Sequence, residues 1–517
     1  MLVHEFLELS ADRQPDKIAL IVGDKRLSYR QLEHDSNCLA NALMAGDLKK
    51  QDRVAVLVES SAEAVISVFG ILKAGGVFSV INPQVKARKV EYILNDCQAR
   101  VLITDQAHLA EISLIKAQCP FLKRIVLVDA ATEQDRKIFP GLESWPDFLA
   151  ESQATRPKKR CIDIDLASLI YTSGSTGIPK GVMLTHLNMV SAANSIITYL
   201  ENTADDIILD VLPLSFDYGL YQVLMAFKFG GSVVLEKSFL YPYRIIELLI
   251  REKITGFPIV PTIAAILLKL KNLDKHDFPD LRYITNTAQA LPPRHISELR
   301  RIFPQAKIFS MYGLTECKRV SYLPPAEIDR RPKSVGIAMP NTEAYIVDEA
   351  GNRIEEPWTT GELVVRGANV MRGYWNLPEE TDKALRPGPI PGEKVLFTGD
   401  LFQMDEEGFL YFVSRKDDLI KVAGERVSPK EIENVLCEIE DVSEACVVGV
   451  DDEVLGQAIK AYLVLKKDSV LKEEDILRFC SRNLENFMIP KYIEFREELP
   501  KSAHGKINKT SLKQRSL

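Results

Sequence analysis

The sequence has no closely spaced cysteine pair. Its eight cysteines, at positions 38, 97, 119, 161, 317, 437, 446 and 480, are scattered along 517 residues without a CxxC spacing. That argues against a zinc ribbon and a disulfide framework, and suits reduced thiols in a cytoplasmic protein. An excess of basic residues is also missing: 65 Lys and Arg stand against 72 Asp and Glu, a net charge of −7. A nucleic-acid binder would show a basic face, so no nucleic-acid partner is expected. Long apolar runs are absent too. The longest, Ala64 to Ile81, is broken by Lys73 and Gly75-Gly76, so no membrane span is expected. The N-terminal stretch MLVHEFLELSADRQ carries Glu5 and Glu8 where a signal peptide needs its apolar core. No internal repeat and no low-complexity segment is found.

What is present has globular values, 46% apolar and 26% charged, in a chain long enough for two or more domains. Lys17 to Val22 and Arg26 to Ser28 read as strands around a Gly23-Asp24 turn. Ser28-Tyr29-Arg30-Gln31 is a capping box, and Leu32, Leu39 and Leu43 give the next helix its buried face. Short apolar strands then alternate with helices: Arg53 to Glu59, Gly76 to Ile81, Val101 to Thr104 and Ile125 to Val128. Asp205 to Leu214, Gly231 to Leu235 and Thr255 to Val260 repeat the pattern. Such alternation predicts an α/β chain with parallel, doubly wound sheets. From about Val335 the texture is strand-rich, which predicts a small β-rich subdomain. The charged stretch Ser414-Arg415-Lys416-Asp417-Asp418 precedes about a hundred residues with strand and helix signals of their own. A boundary there leaves a large N-terminal domain, residues 1–414, and a small α+β C-terminal domain, residues 419–517.

Between these signals lies LASLIYTSGSTGIPKGVMLTH, Leu166 to His186. Leu166 to Tyr171 reads as a buried strand that empties into seven small or turn-forming residues, followed by Pro179-Lys180-Gly181. A loop of this kind can turn backbone N–H groups and the hydroxyls of Thr172, Ser173, Ser175 and Thr176 toward one anion, with Lys180 as a point charge. A Walker-A loop needs Gly-Lys-[Ser/Thr] opening a helix, and neither the spacing nor the helix start is present. YTSGSTGIPKGV resembles the signature loop of the adenylate-forming superfamily, which comprises acyl-CoA synthetases, adenylation domains of peptide synthetases and luciferases. The resemblance implies that Thr172, Ser173, Gly174, Ser175, Thr176, Gly177 and Lys180 hold the β- and γ-phosphates of ATP, with Thr172 also catalytic.

Other stretches match the same family. Phe309-Ser310-Met311-Tyr312-Gly313-Leu314-Thr315-Glu316 puts an aromatic, a hydroxyl and a carboxylate at a strand end, and the carboxylate oxygen suits Mg²⁺. By resemblance Tyr312 and Gly313 face adenine, Thr315 sits by the α-phosphate, and Glu316 is catalytic and holds Mg²⁺. Thr398-Gly399-Asp400 places a carboxylate after a turn; by resemblance Asp400 and Arg415 bind ribose. Leu499-Pro500-Lys501-Ser502-Ala503-His504-Gly505-Lys506 resembles the family's last motif, in which Lys506 bridges the substrate carboxylate and the α-phosphate. Nucleotidyl transfer is mostly positioning plus charge neutralisation, which is the chemistry such a cation supplies. Asp417-Asp418-Leu419-Ile420-Lys421-Val422-Ala423-Gly424 resembles the hinge motif. It implies a hinge at 415–418 pivoting on Asp417, a catalytic role for Lys421, Gly424 at the thiol tunnel, and a mobile C-terminal domain. Ser414 and Glu425 depart from the usual glycine and aromatic or histidine.

The acid is less legible. Asn286-Thr287-Ala288-Gln289-Ala290-Leu291 stands where the family has a glycine-rich segment beside the acyl pocket. Side chains there, Thr287 and Ala288 among them, reduce the pocket's volume and point to a small acid. Phe216-Asp217 matches the pattern of amino-acid adenylation domains, in which the aspartate pairs the substrate's ammonium. Asp217 also suits the cap of a helix from Tyr218, and both readings stay open. The resemblance thus implies an AMP-forming acid–thiol ligase that uses ATP and Mg²⁺. Its acceptor is CoA, or alternatively the phosphopantetheine of a separate carrier protein. A non-catalytic nucleotide-binding scaffold is the remote third reading, disfavoured by Thr172, Lys180, Glu316, Asp400 and Lys506.

Overall fold

The computed structural model describes residues 1–150, 152–173, 179–287, 291–422, 425–452, 456–501 and 507–514. The expected alternation builds two sheets with parallel centres. In the first, Val77–Val80, Arg53–Leu57, Val101–Thr104 and Arg124–Leu127 lie side by side in parallel. Leu166–Ser173 joins beyond Val77–Val80, and Pro179–Thr185 returns antiparallel to it. In the second, Ile18–Val22, Ser232–Leu235, Ile207–Asp210, Gly256–Ile259, Tyr283–Asn286 and Lys307–Tyr312 run parallel in that order. Val101–Thr104, Ser232–Leu235, Gly256–Ile259 and Tyr283–Asn286 are buried at every residue. Helices covering both faces of a parallel sheet produce that pattern, and it is why most of these strand residues are apolar. The helices Ala62–Lys73 and Asp217–Phe229, one from each sheet's connections, meet through stacked Phe69 and Phe227 and join both sheets in one core.

Helix starts follow the local chemistry. Ser28 and Gln31 form the reciprocal capping box of Tyr29–Ala45, and Leu32, Leu39 and Leu43 are buried beneath it. Ser61 caps Ala62–Lys73. Each cap contributes about 1 kcal/mol.

A third, antiparallel sheet contains Thr342–Val347, Gly361–Gly367, Lys394–Met404 and Leu410–Arg415. The single turn Lys416–Asp418 follows it. Beyond the turn, Ile420–Val422, Glu425–Val427, Val442–Asp452, Gly456–Leu465 and Tyr492–Phe495 make a fourth sheet. The helices Pro429–Glu438 and Glu473–Asn483 pack on it, around a separate core that includes Ile432, Leu436, Val447, Ile459 and Ile476. Among the described residues no helix is long and apolar enough to cross a membrane.

Two local expectations change. The strand from Leu166 does not stop at Tyr171 but continues through Ser173, because Pro179–Thr185 offers it a ladder with Thr172 opposite Lys180. Cross-strand pairing outweighs the turn preference of isolated Thr and Ser. Asp217 is not a helix cap: the helix begins at Asp217 itself, Phe216 occupies the cap position, and no side chain caps it. The Asp217 carboxylate is drawn to Lys318 instead.

Candidate active site

Ligands of open α/β sheets bind outside the carboxyl ends of the strands. Asp210, Asn286 and Tyr312 each end a strand of the second sheet, and Ser173 ends the hairpin strand of the first. After Tyr312 the chain makes a tight excursion before Ser321–Tyr322 pairs back against Met311 and Tyr312. A Cβ on Gly313 would lie 2.4 Å from the Lys318 carbonyl oxygen, so the turn closes only around a glycine. Tyr312 and the side chains of this excursion enter three clusters.

The first surrounds Tyr312. Its hydroxyl donates to the Asp400 carboxylate at 2.5 Å, and its ring meets Phe402 edge-on. Burial and the adjacent carboxylate push the phenol well above its ordinary range, so it remains a donor. Asp400 and Arg415 lie directly opposite one another in the third sheet, with the Arg415 Nε 3.1 Å from the carboxylate. The ladder register makes neighbours of two residues fifteen positions apart.

The second joins Glu316 to Lys180. The Tyr374 hydroxyl donates to Glu316 Oε1 at 2.7 Å, and the Lys180 ammonium stands 5.4 Å from the Tyr374 ring centroid. Tyr374 is carried there by the short strand Gly373–Tyr374, which pairs with Val182 and Met183 on the lysine's own strand. Lys180 is held by Glu380 at 2.6 Å. Hydrogen bonds from Lys180 and Lys383 pull the Glu380 carboxyl down to about 2. Among the described residues no three His, Cys, Asp or Glu side chains gather as a metal cage. A lone, half-exposed Glu316 fits Mg²⁺, which commonly takes one or two carboxylates and completes its shell with phosphate oxygens and water.

The third cluster is buried. Lys318 donates to the Asp217 carbonyl at 2.8 Å and faces its carboxylate at 3.4 Å. Burial pulls the Lys318 ammonium down to about 7, with Asp217 opposing the shift. The ring of Tyr218 underlies both Lys318 and Arg319, and its hydroxyl bonds to Thr285, two residues before Thr287. Phe216 meets Tyr218 edge-on. Asp210, enclosed at its strand end, has its carboxyl pushed well above the usual range by burial.

The structure thus pairs Thr172 with Lys180, Tyr312 and Arg415 with Asp400, and Asp217 with Lys318, while Gly313, Thr315 and Glu316 follow the strand end at Tyr312 and Thr287 follows the one at Asn286. Gly174, Ser175, Thr176, Gly177, Ala288, Gly424 and Lys506 lie outside the described residues, as do the side chains of Ser173, Asp417 and Lys421. Tyr374, Glu380, Lys318 and Arg319 were not foreseen. Tyr374 and Glu380 carry no local signal, because pairing with a distant strand brings them in. Lys318-Arg319 did carry one: two cations directly after a strand-end motif and before Val320, in a stretch whose neighbours are buried.

Two models of the AMP-binding enzyme family match the chain: the AMP-binding enzyme model over residues 7–375, and the AMP-binding enzyme C-terminal domain over residues 431–506. A long-chain-fatty-acid–CoA ligase of Bacillus subtilis (strain 168) is 33% identical over 523 residues, spanning 96% of this chain and 91% of that protein. The crystal structure of the anthranilate CoA ligase AuaEII in complex with anthranoyl-AMP superposes with a TM-score of 0.89 at 29% identity, covering 100% of this chain and 97% of that one. ATP-bound MatB from Rhodopseudomonas palustris superposes at 0.90 with 28% identity, over 100% and 99%. The two models cover the large α/β unit and most of the separately cored C-terminal unit, and the chain belongs to the AMP-binding enzyme family, as an AMP-forming acid–thiol ligase.

Proposed function

We propose that this chain joins a small carboxylic acid lacking an α-ammonium group to CoA. ATP first converts the acid to acyl-AMP with release of pyrophosphate, and the acyl group then passes to the thiol. Thr172, Ser173, Gly174, Ser175, Thr176, Gly177 and Lys180 hold the outer phosphates. Tyr312 and Gly313 bind adenine, Thr315 lies by the α-phosphate, and Asp400 and Arg415 bind ribose. Glu316 holds Mg²⁺, which neutralises phosphate charge, and Tyr374 orients that carboxylate. Lys506 offsets the repulsion where the carboxylate meets the α-phosphate. The turn Lys416–Asp418 separates residues 1–414 from 419–517 and pivots at Asp417, exchanging Lys506 for Lys421 and the Gly424 face beside the thiol tunnel.

The observation that carries the choice of acid is the Lys318–Asp217 pair. The carboxylate that would receive a substrate ammonium already has an internal cation, so an amino acid has no vacant charge to meet. The same pair speaks for a short acid over a long alkyl chain. Lys318, Arg319, Tyr218 and Tyr221 pack together around that pair, all buried, and methylenes placed beside them gain little against buried charge. The Bacillus subtilis relative is named for long-chain acids, so chain length belongs in the test. Purified protein with ATP and Mg²⁺ should release pyrophosphate with acids of two to six carbons faster than with palmitate or alanine. Thioester should form with CoA in preference to a phosphopantetheinylated carrier protein. Faster turnover of alanine or palmitate would refute the reading.

A further inference from the structure

The third cluster carries one positive charge more than its own residues neutralise. Arg319 is 2% exposed, the largest of the fully enclosed side chains. Its guanidinium lies over the Tyr218 ring, 5.4 Å from the centroid, and beside the Tyr199 hydroxyl. Among the described residues no carboxylate stands within ion-pair distance of it, and its Nε has no hydrogen-bond partner. Two carboxylates are near enough to matter, and neither serves it. Asp217 is taken by Lys318. Asp210 is wholly enclosed, with Oδ2 unpartnered, and burial favours its neutral form. Arginine has no such escape, because the guanidinium does not give up its proton in proteins. A buried fixed cation left alone is strongly unfavourable, and it is relieved when an anion reaches it.

Its position fits a substrate rather than a structural partner. The guanidinium rests on Tyr218, the second residue of the helix that opens with Asp217. The Tyr218 hydroxyl is bonded to Thr285, at the end of the strand that leads into Asn286 and Thr287. Arg319 itself follows Glu316 by three residues. Through Tyr218 and Thr285 it is thus tied to the segment that leads into Thr287, and through the chain to Glu316.

Resting on the ligase reading above, we propose that Arg319 anchors a second carboxylate on the acid, so that the enzyme activates one end of a short dicarboxylic acid while this guanidinium holds the other. A planar guanidinium binds a carboxylate through two parallel hydrogen bonds, and the free Nε is one of the donors such a fork uses. Lys318 stays on Asp217 and keeps that carboxylate from repelling the incoming anion.

The test is pyrophosphate release with CoA, ATP and Mg²⁺ on acids matched in length: malonate against propionate, succinate against butyrate, glutarate against valerate. For one of these pairs the wild-type kcat/KM should favour the dicarboxylate by at least about a hundred-fold, since a site built around a buried charge rejects the analogue lacking its partner. Arg319→Met should reverse that ranking, while Arg319→Lys should keep it at a lower rate. Should Arg319→Met fail to fold, the wild-type ranking and Arg319→Lys still decide. Wild-type enzyme that handles the monocarboxylates as well as or better than the dicarboxylates overturns the proposal, and so does an unchanged ranking in Arg319→Met. Absence of pyrophosphate release with every acid would instead overturn the ligase reading on which it rests.

Discussion

Replacing Lys318 by methionine should destabilise the protein far more than replacing its partner, and the asymmetry can be worked from the geometry. At 3.4 Å and an effective dielectric constant of about 20, the attraction between Lys318 and Asp217 is about 5 kcal/mol. Burial outweighs this attraction: with Asp217 already opposing it, the net fall from 10.5 to about 7 corresponds to about 5 kcal/mol against the charged form. The lysine is therefore close to break-even at neutral pH, and can shed its proton cheaply when Asp217 is removed. Asp217→Asn should then cost only about 1–2 kcal/mol, the scale of one lost hydrogen bond to a charged group. Lys318→Met leaves a carboxylate behind. Its position at the first turn of a helix returns up to about 1 kcal/mol. The remaining cost should be about 3–4 kcal/mol, within the range for orphaned buried charges. The double variant removes both charges and should be more stable than Lys318→Met alone.

All three tryptophans, Trp145, Trp358 and Trp375, precede residue 415, so fluorescence in a urea titration follows the large unit. The pH dependence adds a sign. Because the folded-state value is below the unfolded one, the unfolded chain binds more protons between about 7 and 10.5. Wild-type stability from this group therefore rises with pH across that window, by at most about 1.4 kcal/mol per pH unit, and Lys318→Met should lack the slope. The vacated carboxylate should also accept an ammonium, raising pyrophosphate release with alanine at least about ten-fold, the equivalent of 1.4 kcal/mol. Strictly additive single variants, or Asp217→Asn costing as much as Lys318→Met, would refute the reasoning.

Glu380→Gln should lower the apparent KM for ATP about two- to five-fold, because incoming phosphate no longer competes with a carboxylate for Lys180; the half-exposed pair is worth no more than about 1 kcal/mol. Since Glu380 ionises at about 2, the difference from wild type should be constant from pH 8 down to pH 5, which ATP saturation curves would check. Tyr374→Phe should raise the Mg²⁺ concentration for half-maximal pyrophosphate release several-fold with little change in stability, since it frees one oxygen of Glu316 from its only described orienting hydroxyl; an unchanged Mg²⁺ requirement would remove Tyr374 from the site. Lys506→Ala should reduce adenylate formation about a hundred- to a thousand-fold and spare thioester formation from supplied acyl-AMP, because the two anions it separates meet only in the first step.

What the sequence made legible follows from the range of the interactions involved. Many strand positions in the two sheets were readable because buried parallel strands are mostly apolar, and the helix start at Ser28 because a cap is a contact within three residues. Tyr312, Glu316, Asp400 and Arg415 were readable as chemistry, but the opposition of Asp400 and Arg415 is a matter of ladder register. Asp217 marks where such reading ends. Alone it supports a helix cap or an ammonium site equally well, and its local sequence contains nothing to choose between them. The cap reading fails because the helix opens at Asp217 itself, and the carboxylate faces Lys318, a hundred and one residues away and brought in by the tight turn that Gly313 permits. Once that lysine is spent on Asp217, its neighbour Arg319 is left as the fixed charge of the pocket. The recognition of substrate then depends less on any single motif residue than on which of two adjacent cations has already found a partner.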